Sequence, residues 1–197
     1  MASPQDLQAI VDSWSPNLNK SPSRTERMVL EIMHGYAKEV GDVGIPASEL
    51  QARAARAAIP SEELNGLLFN LGTDQQSKNC VSFDDGRHKL RAAGWEVFES
   101  RQSVLKRLTL FLAQIHKTMG FKYIQTSFIA RRFKFGDYTI TNFYLKQLYH
   151  SGVVELKPQT LTGRNGSYVA NTHSLTPLGE ELAIYLQQSS GQKKPAQ

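Results

Sequence analysis

The stretch Tyr138-Thr-Ile-Thr-Asn-Phe-Tyr-Leu-Lys-Gln-Leu-Tyr-His-Ser-Gly152 carries the strongest structural pattern of the chain. Leu145 and Leu148 stand at helical spacing, and either Thr141 or Tyr144 continues the spacing one turn earlier. This pattern predicts a helix with one apolar face. Gly152 supplies the residue type that most easily adopts the left-handed conformation just past a helix end. We therefore predict a helix over 139–150.

A hairpin and another helix are predicted directly after this stretch. Val153–Leu156 reads as a strand, and Tyr168–Leu175 reads as its return strand. Asn165-Gly166 between them is a strong signal for a tight hairpin turn. Pro177 favours the first position of a closing helix that continues to Leu186.

The preceding sequence supplies the other elements of the same arrangement. Val104–Met119 keeps helical spacing of apolar residues, and Thr126–Phe133 reads as a short helix. Lys134–Asp137 is the predicted turn before the 139–150 helix. The order is helix, short helix, turn, helix, strand, hairpin turn, strand and helix.

This order resembles the winged helix-turn-helix domains of bacterial and archaeal regulators, such as the MarR-like family. The resemblance rests on Thr141-Asn-Phe-Tyr-Leu-Lys-Gln-Leu148, on Gly152-Val-Val154 and on Ser174-Leu-Thr-Pro-Leu-Gly179. It covers about residues 104–186. It implies a DNA-binding domain whose 139–150 helix enters the major groove beside a β-hairpin wing over 157–169.

The upstream half repeats the order of elements. A predicted capping box at Ser23 and Glu26 begins a long helix, two shorter helices follow, and Asp85-Gly86 forms a turn between two strands. Leu90-Arg-Ala-Ala-Gly94 occupies the place that Leu175-Thr-Pro-Leu-Gly179 has in the second half. The fold class we predict is mainly α with small β-hairpin wings (α+β), as two winged-helix units in tandem.

Four segments follow from this interpretation. Residues 1–22 are an N-terminal segment and linker, 23–101 the first unit, 102–187 the second unit and 188–197 a disordered tail. Because the sequence between Gly94 and Gly120 contains no Gly or Pro, one interpretation is a long helix over about 91–119 that joins the units, with 100–103 as the favoured place for a break.

The charge is distributed unevenly between the two units. The chain has a net charge of +5 and a sequence pI of about 9.3. Ten Lys and Arg against twelve Asp and Glu give residues 24–101 a net charge of −2, whereas ten against four give residues 102–187 a net charge of +6. A basic domain that also carries a predicted recognition helix favours double-stranded DNA as the partner.

The outward face of the predicted helix offers side chains that can read a groove. Asn142 can pair with adenine, and Lys146 can approach guanine or phosphate. Arg164 at the wing tip can reach the minor groove or its phosphates. The alternative is that these residues are only the solvated face of a basic domain. The predicted DNA-contacting residues are Arg131, Arg132, Lys134, Tyr138, Thr139, Asn142, Phe143, Lys146, Arg164 and Asn165.

The first unit lacks this chemistry at the equivalent helix. Glu62 and Glu63 suit a helix N-terminus but would repel phosphate at a groove. We therefore expect the first unit to serve in homodimerisation or in contacts with a protein partner, although Arg53 and Arg56 could still touch a DNA backbone.

No enzymatic activity, cofactor or metal is predicted. The five histidines show no close ligand spacing, and the sequence has no glycine-rich phosphate loop. Cys80, the only cysteine, is predicted to be a buried structural thiol. No apolar run is long enough to cross a membrane, no secretory signal is visible, and cysteine usage fits a reducing cytoplasm.

We therefore predict a sequence-specific double-stranded DNA-binding protein that acts as a transcriptional regulator. Two alternatives to this function remain. Tandem winged helices also build the kleisin-partner subunits of bacterial chromosome condensation complexes, which grip protein rather than DNA. Plasmid and phage replication initiators likewise resemble paired winged helices.

Overall fold

The computed structural model describes residues 1–14, 21–41, 44–72, 78–120, 122–133, 138–163 and 166–191. In chain order the first elements are α1 (Pro4–Ser13), α2 (Arg24–Val40), β1 (Gly44–Pro46), α3 (Ala47–Arg56), α4 (Ser61–Leu71), β2 (Val81–Asp84), β3 (Arg87–Leu90) and α5 (Ala92–Trp95). They are followed by α6 (Arg101–Met119), β4 (Ile124–Gln125), α7 (Thr126–Arg132), α8 (Tyr138–His150), β5 (Val154–Gly163), β6 (Gly166–Leu175) and α9 (Pro177–Gly191).

The chain divides into two compact units. One, here called the acidic unit, comprises 17–100 and 133–140; the other, the basic unit, comprises 1–16, 101–132 and 141–197. Lys and Arg number 11 against 13 Asp and Glu in the acidic unit, and 12 against 5 in the basic unit. The N-terminal helix α1 thus groups with the basic elements.

Each unit contains one small antiparallel sheet with the same strand order. The first sheet is ordered β1-β3-β2 and the second β4-β6-β5, so the return strand of each hairpin lies in the middle. Asp84 pairs with Arg87 in the first hairpin, and Gly163 pairs with Gly166 in the second. Helices predominate elsewhere in the described residues, which confirms the predicted mixed α+β class.

A matching close contact follows each hairpin. The backbone N–H of Arg91 donates to the Cys80 carbonyl at 2.8 Å, and that of Thr176 donates to the Val153 carbonyl at 3.1 Å. A glycine packs on the same carbonyl in each unit. A Cβ atom built on Gly94 would lie 2.5 Å from the Cys80 oxygen.

At the corresponding position of the basic unit, a Cβ atom built on Gly179 would lie 2.1 Å from the Val153 oxygen. The leucine four residues earlier is also equivalent, because the Cδ2 atoms of Leu90 and Leu175 lie 3.1 Å from the respective built Cβ atoms. The sequence alignment of the Leu90 and Leu175 segments therefore corresponds to the same three-dimensional contact in both units.

Local sequence signals explain the helix ends in the acidic unit. The Ser23 side chain accepts the Glu26 N–H at 3.3 Å, and the Glu26 carboxylate accepts the Ser23 N–H at 2.5 Å, which confirms the capping box. Glu26 is 4% exposed and pairs with Lys78. Burial raises the pKa of Glu26, but its hydrogen bonds with Lys78 and Ser23 outweigh burial, so the pKa falls below its usual value.

The core of the basic unit lies among α1, α6, α9 and β6. Apolar side chains of these helices are almost fully inaccessible: Leu7, Val11, Val104, Leu105, Leu108, Leu112, Leu182 and Ala183. Polar contacts hold α1 in place, because the Gln102 amide donates to the Val11 carbonyl at 3.1 Å and the Tyr185 hydroxyl donates to Gln8 at 2.8 Å.

The prediction of one continuous helix over about 91–119 is wrong. Helix α5 ends at Trp95, and α6 begins at Arg101. Trp95 is buried, and its ring meets the His34 ring edge-on with centroids 4.8 Å apart, while Phe98 stacks on His34 at 4.5 Å. Packing of both rings around one histidine outweighs the helix propensity of the intervening residues.

The prediction that the chain is disordered from residue 188 is wrong for residues 188–191. Helix α9 continues through Gly191, and the Ser189 hydroxyl donates to the Tyr185 carbonyl at 2.9 Å. Once a helix is nucleated, each added residue gains a backbone hydrogen bond, so a polar composition alone does not end it. Residues 192–197 lie outside the described residues.

Candidate nucleic-acid interface

Helix α8 is anchored by its inner face, as the sequence predicts. Five side chains of that face are at most 2% exposed: Ile140, Thr141, Tyr144, Leu145 and Leu148. Beyond the helix, the Gly152 N–H donates to the Tyr149 carbonyl at 3.0 Å and the Val153 N–H to the Leu148 carbonyl at 2.9 Å. This is a Schellman motif, and the φ of Gly152, 71°, confirms the predicted left-handed residue.

The end of α8 is also tied to α1. The Trp14 indole N–H donates to the Ser151 hydroxyl at 3.0 Å, and that hydroxyl donates to the Gln147 carbonyl at 2.8 Å. Trp14 is 3% exposed. The N-terminal helix therefore helps to fix the direction of α8 within the basic unit.

The outer face of α8 bears four of the ten predicted contact residues. Tyr138, Asn142 and Lys146 follow one another at intervals of four residues, so they form one stripe along the helix. Tyr138, Thr139 and Lys146 are exposed, and Asn142 is half-buried. The stripe offers a phenol, an amide and an ammonium group to a ligand.

Phe143 is held more tightly than a free groove-facing residue. The guanidinium carbon of Arg101 lies 5.5 Å from the centre of the Phe143 ring, and the ring meets Tyr144 edge-on. Phe143 is consequently half-buried. Arg101 of α6, which was not among the predicted residues, therefore lies beside one of them.

Four exposed cations of the basic unit have no carboxylate partner among the described residues. Within the described residues, no Asp or Glu lies in ion-pair contact with Arg131, Arg132, Lys146 or Lys157. Arg132 instead lies over the Phe128 ring, and Lys157 lies over the Tyr123 ring. Their positive field is therefore not cancelled by a neighbouring carboxylate.

The acidic unit shows the opposite arrangement. Four of its cations form ion pairs: Arg53 with Glu39 and Glu49, Lys89 with Asp84, Arg27 with Glu31 and Lys78 with Glu26. The Arg53 pairs measure 3.0 Å and 2.6 Å, and the Lys89 pair measures 2.7 Å. Exposed ion pairs add little stability, but they remove the field that would attract a polyanion.

An open cavity of about 430 Å³ lies beside α7. Rings from three elements line it: Tyr123 before β4, Phe128 of α7 and Tyr168 of β6. Arg131 lines the same cavity, together with the polar side chains of Gln125 and Ser127. The cavity therefore combines aromatic surface with a cation that no described carboxylate neutralises.

Sequence reasoning missed this cavity. The chemical signal was present in the alternation of basic and aromatic residues around Lys122, Tyr123 and Phe128. Tyr168 was assigned only to a strand, because nothing local indicates that the β4–β6 pairing brings it to α7. Lys134, Arg164 and Asn165, which we predicted to contact DNA, lie outside the described residues.

Two buried titratable groups, one in each unit, have pKa values shifted by burial. The His173 ring is 3% exposed, and its Nε2 lies 2.9 Å from the Thr126 hydroxyl. Burial lowers the pKa of His173 to about 4. In the acidic unit, burial raises the pKa of the Cys80 thiol to about 11, which confirms a structural thiol.

Among the described residues, no three His, Cys, Asp or Glu side chains gather as a metal-binding group. A helix with the length and apolarity needed to span a bilayer is likewise not found in the described ranges.

The fold and the site together define a mixed α+β protein of two units, one of which has an excess of Lys and Arg over Asp and Glu. Comparison with protein-family models, with curated proteins and with solved structures finds no match to the chain.

Proposed function

We propose that the chain is a sequence-specific double-stranded DNA-binding protein built of two winged-helix units, and that it acts as a transcriptional regulator. Helix α8 enters the major groove, and the β5–β6 hairpin lies along the neighbouring backbone as the wing. The observation that carries the proposal is the exposed stripe of Tyr138, Asn142 and Lys146 on a helix whose opposite face is fully buried.

The winged-helix part of the proposal is supported by topology. Each unit runs helix, short strand, helix, helix and hairpin, and each sheet places the return strand in the middle. The shared glycine-on-carbonyl contact at Gly94 and Gly179 also supports two copies of one unit.

The DNA part is supported by chemistry. Asn142 can form two hydrogen bonds with adenine, and Lys146 can approach guanine or phosphate one turn later. Arg131 and Arg132 end α7, where they can hold the phosphate backbone and fix the register of the helix. Removing Asn142 should relax specificity at one base pair, whereas removing Lys146 should weaken binding to all sequences.

Selection of duplexes from a random-sequence library tests the proposal. Binding of the selected duplex is then compared for wild type, Lys146→Ala and Lys117→Ala. Lys117 is exposed in the last turn of α6, so the control removes the same charge from the same unit. Lys146→Ala should weaken binding about tenfold, and Lys117→Ala should change it less than about twofold. Equal losses in both variants would reject α8 as the interface.

Protein contact through the acidic unit is the second candidate function. Phe69 at the end of α4 is 69% exposed, and Phe83 of β2 is 62% exposed. Exposed aromatic rings in a charge-paired surface favour a protein partner, either a second copy or a different chain. Solution mass of wild type and of a Phe69→Ser variant tests it, because a homodimer held by this surface should dissociate in the variant.

A further inference from the structure

The cavity beside α7 has features that duplex recognition by α8 does not use. Its three rings come from separate parts of the chain, and Tyr168, the third residue of β6, is 51% exposed. Strand β4 pairs with β6 only at Thr172 and His173. The β6 edge from Tyr168 to Asn171 therefore has no strand partner on the α7 side among the described residues, which leaves the cleft open.

We propose that this cavity binds an unpaired nucleotide. The base lies against the aromatic rings, and the phosphate lies at Arg131, Lys122 and Lys157. Every nucleobase presents two π faces, so aromatic rings in a cationic groove bind single-stranded nucleic acid with little sequence preference. A volume of about 430 Å³ suits one nucleotide. The Gln125 amide and the Ser127 hydroxyl can meet the polar edge of the base.

The charges around the rings favour a phosphate-bearing ligand. The Nζ atoms of Lys122 and Lys157 lie 5.7 Å and 5.1 Å from the centre of the Tyr123 ring. Arg131 lines the cavity itself. The Tyr123 hydroxyl donates to the Glu155 carboxylate at 3.1 Å, which orients the ring and engages that carboxylate.

The rings of the cavity are not part of the α8 stripe, although the cavity borders α7 and the β5–β6 hairpin, and the proposal does not require duplex binding. A base inside a duplex is stacked and paired, so its faces are not accessible to Tyr168 or Phe128. The two sites share Arg131, which is therefore left intact in the test. Single-stranded nucleic acid and free nucleotides have the same recognition chemistry, and the test separates these sources.

Fluorescence anisotropy of labelled dT10 measures the binding, with an abasic ten-unit oligonucleotide as the control that keeps the phosphates and lacks the bases. Wild type should bind dT10 at least about fivefold more tightly than the abasic strand. Tyr168→Leu should lose at least about fivefold in dT10 affinity, whereas Tyr168→Phe, which keeps the ring, should stay within about twofold.

Two further measurements show whether the cavity binds independently of α8 and whether its ligand is single-stranded nucleic acid or a free nucleotide. Lys146→Ala should weaken the selected duplex but not dT10. Displacement of dT10 by millimolar thymidine monophosphate would support the site and assign it to free nucleotides; ring-dependent dT10 binding that resists the mononucleotide would support it and assign single strands.

Equal affinity for dT10 and the abasic strand would overturn the proposal, because binding would then depend on charge alone. Equal affinity of Tyr168→Leu and Tyr168→Phe would overturn it as well. Since Tyr168 is half exposed, both variants should keep the wild-type circular dichroism spectrum and melting temperature, so a loss of binding reports on the ring.

Discussion

Replacing Gly179 by alanine should destabilise the basic unit strongly, although the residue lies in a helix. The added Cβ would stand 2.1 Å from the Val153 carbonyl oxygen, so the two atoms must separate by about 0.9 Å to reach even 3.0 Å. That oxygen also accepts the Thr176 N–H at 3.1 Å. Movement of the carbonyl therefore disturbs the hydrogen bond that connects Val153, directly before β5, with Thr176, directly before α9.

The size of the effect follows from opposing contributions. Overpacking costs about 1–3 kcal/mol, and a weakened hydrogen bond costs about 1 kcal/mol. Alanine regains at most about 1 kcal/mol of helix propensity. We expect Gly179→Ala to lower the free energy of unfolding by about 2 kcal/mol, and Gly94→Ala to lower it in the acidic unit through the equivalent 2.5 Å contact.

Urea unfolding followed by circular dichroism and tryptophan fluorescence measures these changes, because Trp14 lies in the basic unit and Trp95 in the acidic unit. Gly66→Ala is the control: Gly66 is in α4, and nothing lies within 4 Å of its built Cβ. This variant should gain about 0.5–1 kcal/mol. If Gly179→Ala is as stable as wild type or more stable, the close-contact argument is wrong.

Three further predictions concern single groups. The pKa of His173 is lowered from 6.5 to about 4, so the unfolded chain takes up this proton at a higher pH than the folded chain does. The stability that neutral His173 contributes is therefore complete above about pH 6.5. It should fall by about 3 kcal/mol as the pH is lowered toward 4. Urea midpoints should depend less on pH in His173→Gln than in wild type, and parallel curves would contradict this. Cys80 should react with a thiol reagent at pH 8 only after unfolding, because its pKa is about 11 and its side chain is buried; a rapid native reaction would contradict it. Ser23→Ala should lower the free energy of unfolding by about 1 kcal/mol through loss of the capping box, whereas an unchanged urea midpoint would show that the box contributes nothing.

Local patterns predicted the elements well. The helix over 139–150 appears as α8 with its leucines inward, Gly152 adopts the left-handed conformation, and Pro177 begins α9. These features depend on residues that are close in sequence, where backbone preferences and helical spacing decide the outcome. The alignment of Leu90 and Leu175 also led to a contact that both units share.

Features that depend on distant residues were missed. The helix break after Trp95 results from packing on His34, which lies 61 positions earlier in the chain. The aromatic cavity requires the β4–β6 register to bring Tyr168 beside Phe128, although nothing in either local sequence indicates that partner. The duplex-binding residues of α8 stay predictions, since burial and exposure show where they lie and not what they bind.

The central claim is that α8 enters the groove of the DNA. It can be tested directly with a label on a new surface cysteine, because the native Cys80 thiol is buried and stays unlabelled. An iron chelate is attached to Thr139→Cys at the exposed start of α8, or to Ile184→Cys on α9, where Ile184 is 56% exposed. Hydroxyl radicals generated on the selected duplex then mark the DNA nearest to each label. The account predicts strong cleavage inside the binding site from position 139 and little from position 184; equal cleavage from both, or cleavage from position 184 alone, would contradict it.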